Sequence, residues 1–149
     1  MEKNLWGEIF GKATKNINSP KKILDLQADE FNNRSLQYGI YCSVTSSFEE
    51  QVVSWGALGA PFGENEQKEK YFVLKMQLSV PALENYTIVV LSVKYLISTI
   101  YPCQVKDVIS SGSWKEVKDE AEFTKQLQTI LSSQEMSQLL TNLVSQLED

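Results

Sequence analysis

Histidine is absent from this 149-residue chain. Its absence removes Ser–His and Cys–His nucleophile pairs and every histidine-containing metal site. Cysteine is nearly as scarce. Cys42 and Cys103 are the only two, too few for an all-cysteine zinc site or a disulfide framework. Both fall in apolar, strand-like stretches, where a thiol serves as a small buried hydrophobe. Phosphate-cradling loops are missing as well. Neither GxGxxG nor GxxxxGK[ST] occurs, and Gly56, Gly59 and Gly63, with Pro61, read as bends. The start of the chain has no apolar core of the kind a signal peptide carries. These absences lead us to expect a cytoplasmic protein with no metal, no cofactor and no catalytic residue.

An uninterrupted apolar run long enough to span a bilayer is also lacking. The nearest approach is Tyr86–Val108. Lys94 near the middle of that stretch would cost about 2.5–3.5 kcal/mol on insertion scales. Pro102 would break a helix there. Ile88, Val89, Val90, Val93, Ile97 and Val105 are β-branched and favour strands. The stretch is expected to form two strands, 87–96 and 99–108, joined near Ile97–Ser98. Pro102 cannot donate to a ladder, so the second of these should be an edge strand or bulged. The Tyr101–Pro102 peptide is expected to be trans, as most X–Pro bonds are.

What is present is an uneven distribution of charge. Residues 1–22 carry five lysines against two glutamates, a balance of +3, so the rest of the chain holds −8 of the net −5. An acidic body repels phosphate backbones, which argues against nucleic acid as a partner. It suits a basic protein partner. Residues 1–18 are expected to be a basic N-terminal segment. Residues 19–149 are expected to be a single α+β domain.

Within the N-terminal segment Leu5, Trp6, Ile9 and Phe10 share one face of a short helix. They are candidates for contact with a partner groove, or they fold back on the domain. Ser19-Pro20 then marks a helix start, hydroxyl at the cap and proline in the first turn. The helix should run to Asn32 or Asn33, with Leu24, Ala28 and Phe31 on one face. Ser19-x-x-Lys22 also has the spelling of some acyl enzymes, but capping accounts for the serine.

Residues 36–45 alternate as a half-buried strand. After a turn at Ser46–Phe48 a second strand is expected over 50–58. A polar loop, Ala60–Glu69, leads to the cleanest strand, 70–80, with Phe72, Leu74, Met76, Leu78 and Val80 on one face. Pro81 ends it. With 87–96 and 99–108 this makes five strands, and no connection holds a crossover helix. That pattern describes an antiparallel meander.

Two helices should follow. Asp119-x-x-Glu122 and Ser132-x-x-Glu135 have the spacing of capping boxes. Phe123, Leu127, Ile130 and Leu131 form the apolar face of the first. Met136, Leu139, Leu140, Leu143, Val144 and Leu147 form that of the second. Three helices gathered on one face of the sheet satisfy the two-layer logic of small domains. The last helix could alternatively pair two chains into a homodimer.

The remaining candidates for chemistry are carboxylates and lysines. Glu49, Glu50, Asp119, Glu120 and Glu122 sit at turns and helix starts, where solvation and the helix dipole explain them. Lys94 and Lys106 stand in strands, where a lysine can guard an edge or extend its stem along apolar surface. The sequence is therefore read as a non-catalytic protein-binding module of the adaptor, chaperone-like or immunity type. A small-molecule or lipid-binding domain is the alternative, with a pocket between sheet and helices lined by Phe72, Met76 and Tyr86.

Overall fold

In a computed structural model of the chain, the described residues are 7–9, 18–54 and 66–147. The first long helix, α1 (Pro20–Ser35), starts as the sequence requires. Ser19 accepts a hydrogen bond from the Lys22 N–H at 3.3 Å, and Pro20 opens the first turn. Leu24 and Ala28 are buried and Phe31 is half-buried. The helix continues past Asn33 to Ser35, into a 3-10 turn over Leu36–Tyr38.

The alternation over 36–45 therefore misleads for its first half. Leu36 and Tyr38 are exposed in the 3-10 turn, and Gly39 follows with φ of 73°, a left-handed conformation that ends any extended run. Beyond it, one long strand replaces the two expected. β1 (Tyr41–Ser54) runs through Ser46–Phe48 without a turn, paired residue for residue with β2 (Glu66–Val80). The serines at 46 and 47 resemble turn residues, but on an exposed strand small polar side chains cost little, and pairing with β2 decides the outcome. Residues 55–65, including the loop glycines and most of the expected loop, lie outside the described residues. Glu66–Glu69 belong to β2.

β3 (Tyr86–Leu96) lies in the middle of the sheet. Its pairing with β2 slips at one point. Met76 faces Leu91, and Gln77 faces Val89, which leaves Val90 as an extra residue. The bulge lets two consecutive side chains, Val90 and Leu91, both reach 0 % exposure. β4 (Cys103–Asp107) is shorter than expected, and a fifth strand not expected from the sequence, β5 (Lys115–Val117), pairs with it. Pro102 thus precedes β4 instead of sitting within it, where no ladder N–H is required. The sheet continues one strand further, so β4 is interior. The Tyr101–Pro102 peptide is cis, contrary to expectation.

The strand order is β1-β2-β3-β4-β5, every neighbouring pair antiparallel, a meander as the short connections imply. α2 (Glu120–Leu131) and α3 (Gln134–Leu147) complete the chain. Asp119 caps α2 by accepting from the Glu122 N–H at 2.9 Å, and Glu122 accepts from the Lys118 N–H at 2.9 Å. The cap of α3 is Ser133, not Ser132. Ser133 accepts from the Met136 N–H at 3.2 Å, while Ser132 donates back to the Gln128 carbonyl at the end of α2.

All three helices lie on one face of the sheet. Leu24 of α1, Phe123 and Ile130 of α2 and Met136 of α3 join Leu74, Leu78, Leu91, Val93 and Val105 in one buried cluster. Each such side chain contributes about 1.5–3 kcal/mol by leaving water. The opposite face carries Thr45, Lys75, Lys94, Gln104 and Lys106 together with the buried Val73 and Ser92, and α1, α2 and α3 do not pack on it. No helix among the described residues is long and apolar enough to cross a membrane.

Candidate functional site

The apolar stripes of α1 and α3 do not close on each other completely. Between them runs a slot with two connected parts that share Phe31, Arg34 and Leu140. The inner part, about 180 Å³, reaches down to Cys42, Met76, Leu78 and Val90 on the sheet. The outer part, about 650 Å³, is a groove flanked by Tyr38 and Ile40 on one side and by Val144 and Ser145 on the other. Leu140 and Val144 are half-buried because the slot leaves one side of each uncovered.

The rim carries one charged pair. Arg34 Nε lies 2.9 Å from Glu30 Oε1, one helical turn away and well exposed. Such a pair contributes little to stability, but it places both signs of charge at the mouth. The floor is uncharged. Burial pushes the Cys42 thiol up to about 11 from an ordinary 9.0, so it is protonated at neutral pH and not a nucleophile there. Cys103, buried elsewhere in the core, is pushed up to about 12 by the same cause.

Of the three side chains expected to line a pocket between sheet and helices, Met76 lines this slot and the other two do not. Phe72 sits further along β2, edge-on to Phe48 with ring centroids 5.0 Å apart and stacked on Tyr95 at 5.6 Å. Tyr86 is exposed at the start of β3. Both are on the helix side of the sheet by register, Phe72 packed against the edge of the core and Tyr86 opposite the buried Val80.

The ionisable candidates do not converge. Lys94 stands on the face opposite the helices, largely covered, 4.7 Å over the Tyr71 ring and 3.5 Å from Glu49. Lys106 lies 5.9 Å over Trp114. Asp119 and Glu122 are occupied in capping, and Glu120 accepts from Asn18, at 3.0 Å from its backbone N–H. Among the described residues, no three acidic or cysteine side chains come together. Of the N-terminal candidates, Leu5, Trp6 and Phe10 lie outside the described residues. Ile9 is helical and 54 % exposed.

A second feature adjoins the slot. Asn32 of α1 is bonded to both backbone groups of Cys42. Its Nδ2 donates to the Cys42 carbonyl at 2.9 Å, and its Oδ1 accepts from the Cys42 N–H at 2.7 Å. One side chain thus takes the place of a neighbouring strand at one residue of β1. Ser35 adds a bond from its hydroxyl to the Ile40 carbonyl at 2.7 Å. Nothing in the linear pattern singles out Asn32, which reads as a polar residue near a helix end.

No protein-family model matches the sequence, and neither curated proteins nor solved structures give a match.

Proposed function

We propose that this protein is a non-catalytic protein-binding module, and that the α1–α3 slot receives an amphipathic helix of a protein partner. The slot itself carries the reading: a groove between two helices, mostly apolar along its walls and floor, with its charged pair exposed and its buried Ser35 hydroxyl already bonded to the Ile40 carbonyl. Helix-in-groove recognition uses this arrangement, with apolar side chains at one-turn spacing entering the groove. The inner part has room for one or two large side chains, and the outer groove for a row of them. The acidic body favours a helix with basic residues beside its apolar ridge. A homodimer through α3 would cover the same slot and is separated from this reading by the molar mass in solution.

The test is capture of partners from cells that make the protein, with the full chain and with Leu140→Lys as baits. The reading requires a captured protein with a basic amphipathic helix whose synthetic copy binds the full chain directly, and whose binding Leu140→Lys abolishes. No captured protein above background, or equal capture by a folded Leu140→Lys, contradicts it.

A second reading is supported by the inner pocket alone. Its lining of Phe31, Met76, Leu78, Val90, Met136 and Leu140 suits a small apolar ligand or an acyl chain. Native mass spectrometry of freshly purified protein distinguishes the two, since a bound small molecule adds a defined mass.

A further inference from the structure

The free edge of the sheet at β1 carries an interaction surface separate from the slot. In an antiparallel pair, residues alternate between those that bond their partner and those that point both backbone groups away. The Asn32 clamp shows which are which, because Cys42 directs its N–H and carbonyl away from β2 and into Asn32. By the same alternation Val44, Ser46 and Phe48 direct theirs outward. Among the described residues nothing bonds to them there. Asn32 closes one end of the edge, and among the described residues nothing covers it from Val44 to Phe48.

We propose that β1 is a strand-addition site, on which an extended segment of another protein pairs with the outward backbone groups of Val44, Ser46 and Phe48. Natural sheets blunt an exposed edge with proline, lysine, a bulge or a short strand. β1 has none of these, and its charges, another such device, are confined to Glu49 and Glu50. Tyr41–Ser54 contains no proline and no lysine, and its fourteen residues pair with β2 in unbroken register. Strand addition of this kind takes its affinity from main-chain bonds and its specificity from alternate side chains.

The side-chain contacts follow from the register. Phe48, 63 % exposed, is the outer end of an aromatic row that continues through Phe72 to Tyr95 on the helix side of the sheet. An added strand therefore presents apolar or aromatic residues on that side, at every second position. Its other side faces Thr45, Ser47 and Glu49 and takes polar or basic residues. Glu49 and Glu50 are the only charges on β1.

For the outward groups of Val44, Ser46 and Phe48 taken together, the edge favours a short foreign segment over a second copy of this chain. Two copies paired antiparallel about Ser47 would bring the other copy's Val52 opposite Cys42, where Asn32 already sits. Pairing about Glu49 clears Asn32 but sets Glu49 against Glu49, and like charges directly opposite are destabilising. A segment of about seven residues, ending or turning opposite Val44, meets neither obstacle.

The experiment selects a displayed library of random twelve-residue peptides against the full chain and maps the enriched peptide by amide exchange. We expect peptides with alternating apolar positions and lysine or arginine between them. On saturation the amides of Val44, Ser46 and Phe48 should gain protection. Ser46→Pro removes an outward N–H and leaves the β2 ladder intact, and we expect it to weaken binding about tenfold or more. A second arm does not depend on that variant folding. N-methylation of alternate amides of the peptide should abolish binding in one phase and leave it unchanged in the other. Leu140→Lys should have no effect, which separates this surface from the slot. Failure to enrich any peptide, protection confined to the α1–α3 slot, equal sensitivity to both methylation phases, or a twofold rise in molar mass without peptide would each overturn the proposal.

Discussion

The two edges of this sheet are built in opposite ways. β5 is three residues long, and the chain turns from it directly into α2. The backbone N–H at Lys118 is already bonded by Glu122. β1 is fourteen residues long and, among the described residues, is guarded at one point, by Asn32 on Cys42. A sheet edge is a template for another strand unless something prevents it. At β5 length and an adjoining helix prevent it. At β1 only the end nearest α1 is closed, and Val44 to Phe48 are presented to the surroundings.

The contrast can be tested by damaging each side. The largest effect belongs to the guarded side. Phe123 is fully buried beneath α2, with its ring 6.3 Å from that of Tyr101. Phe123→Ala should cost about 3–5 kcal/mol, or roughly 10 °C in Tm for a domain of this size. Denaturant melts measure this directly. A loss below about 1 kcal/mol would mean that α2 is not packed on the sheet as described.

Next comes the clamp. Asn32→Ala removes two hydrogen bonds and should cost about 1–3 kcal/mol. It also frees the Cys42 backbone and lengthens the bare edge by one outward pair. Asn32→Asp does not restore the clamp, because a carboxylate oxygen then faces the Cys42 carbonyl. If Asn32→Asp melts with the wild type, the clamp is not formed.

The bare edge should be the tolerant side. Phe48→Ala and Ser46→Pro should each change stability by less than about 1 kcal/mol, because neither removes a buried contact or a ladder bond. A much larger loss would show that the edge is covered in the folded protein.

The smallest effect at neutral pH concerns the thiols. The folded state holds both in the neutral form, while unfolded thiols ionise near 9.0. Their contribution to stability is therefore complete below pH 9 and lost as pH rises through about 11 for Cys42 and about 12 for Cys103. Alkaline melts should show this loss, and Cys42→Ala should reduce it. At pH 8 a thiol reagent should label both cysteines in denaturant and neither, on the same timescale, in the native protein. Rapid native labelling of Cys42 would mean that the slot widens enough to admit the reagent to its floor.

Much of the fold was legible in the sequence because it rests on local periodicity. The stripes on α1, α2 and α3, the alternation of β2 and the meander order follow from apolar spacing and short connections. What was not legible depends on partners in space. β1 was divided at Ser46–Ser47 because serines read as a turn, and only pairing with β2 reveals a strand there. β5 is too short to show any period. The bulge that buries Val90 beside Leu91 is a property of two strands together. The slot was half legible. Phe31 and Leu140 each stood on an apolar face, but that those faces meet at a gap, with Met76 below and Phe72 and Tyr86 elsewhere, needed the tertiary arrangement. Asn32 was invisible, since its function comes from the distance to Cys42 and not from its neighbours in the chain.

The most direct measurement is amide exchange of the free protein, read residue by residue along β1 by nuclear magnetic resonance. We expect a two-residue alternation. Ser43, Thr45 and Ser47 should be protected by the β2 ladder, Cys42 by Asn32, and Val44, Ser46 and Phe48 should exchange rapidly. Uniform protection from Cys42 to Phe48 would contradict the bare edge, and with it the surface on which an added strand is proposed to bind.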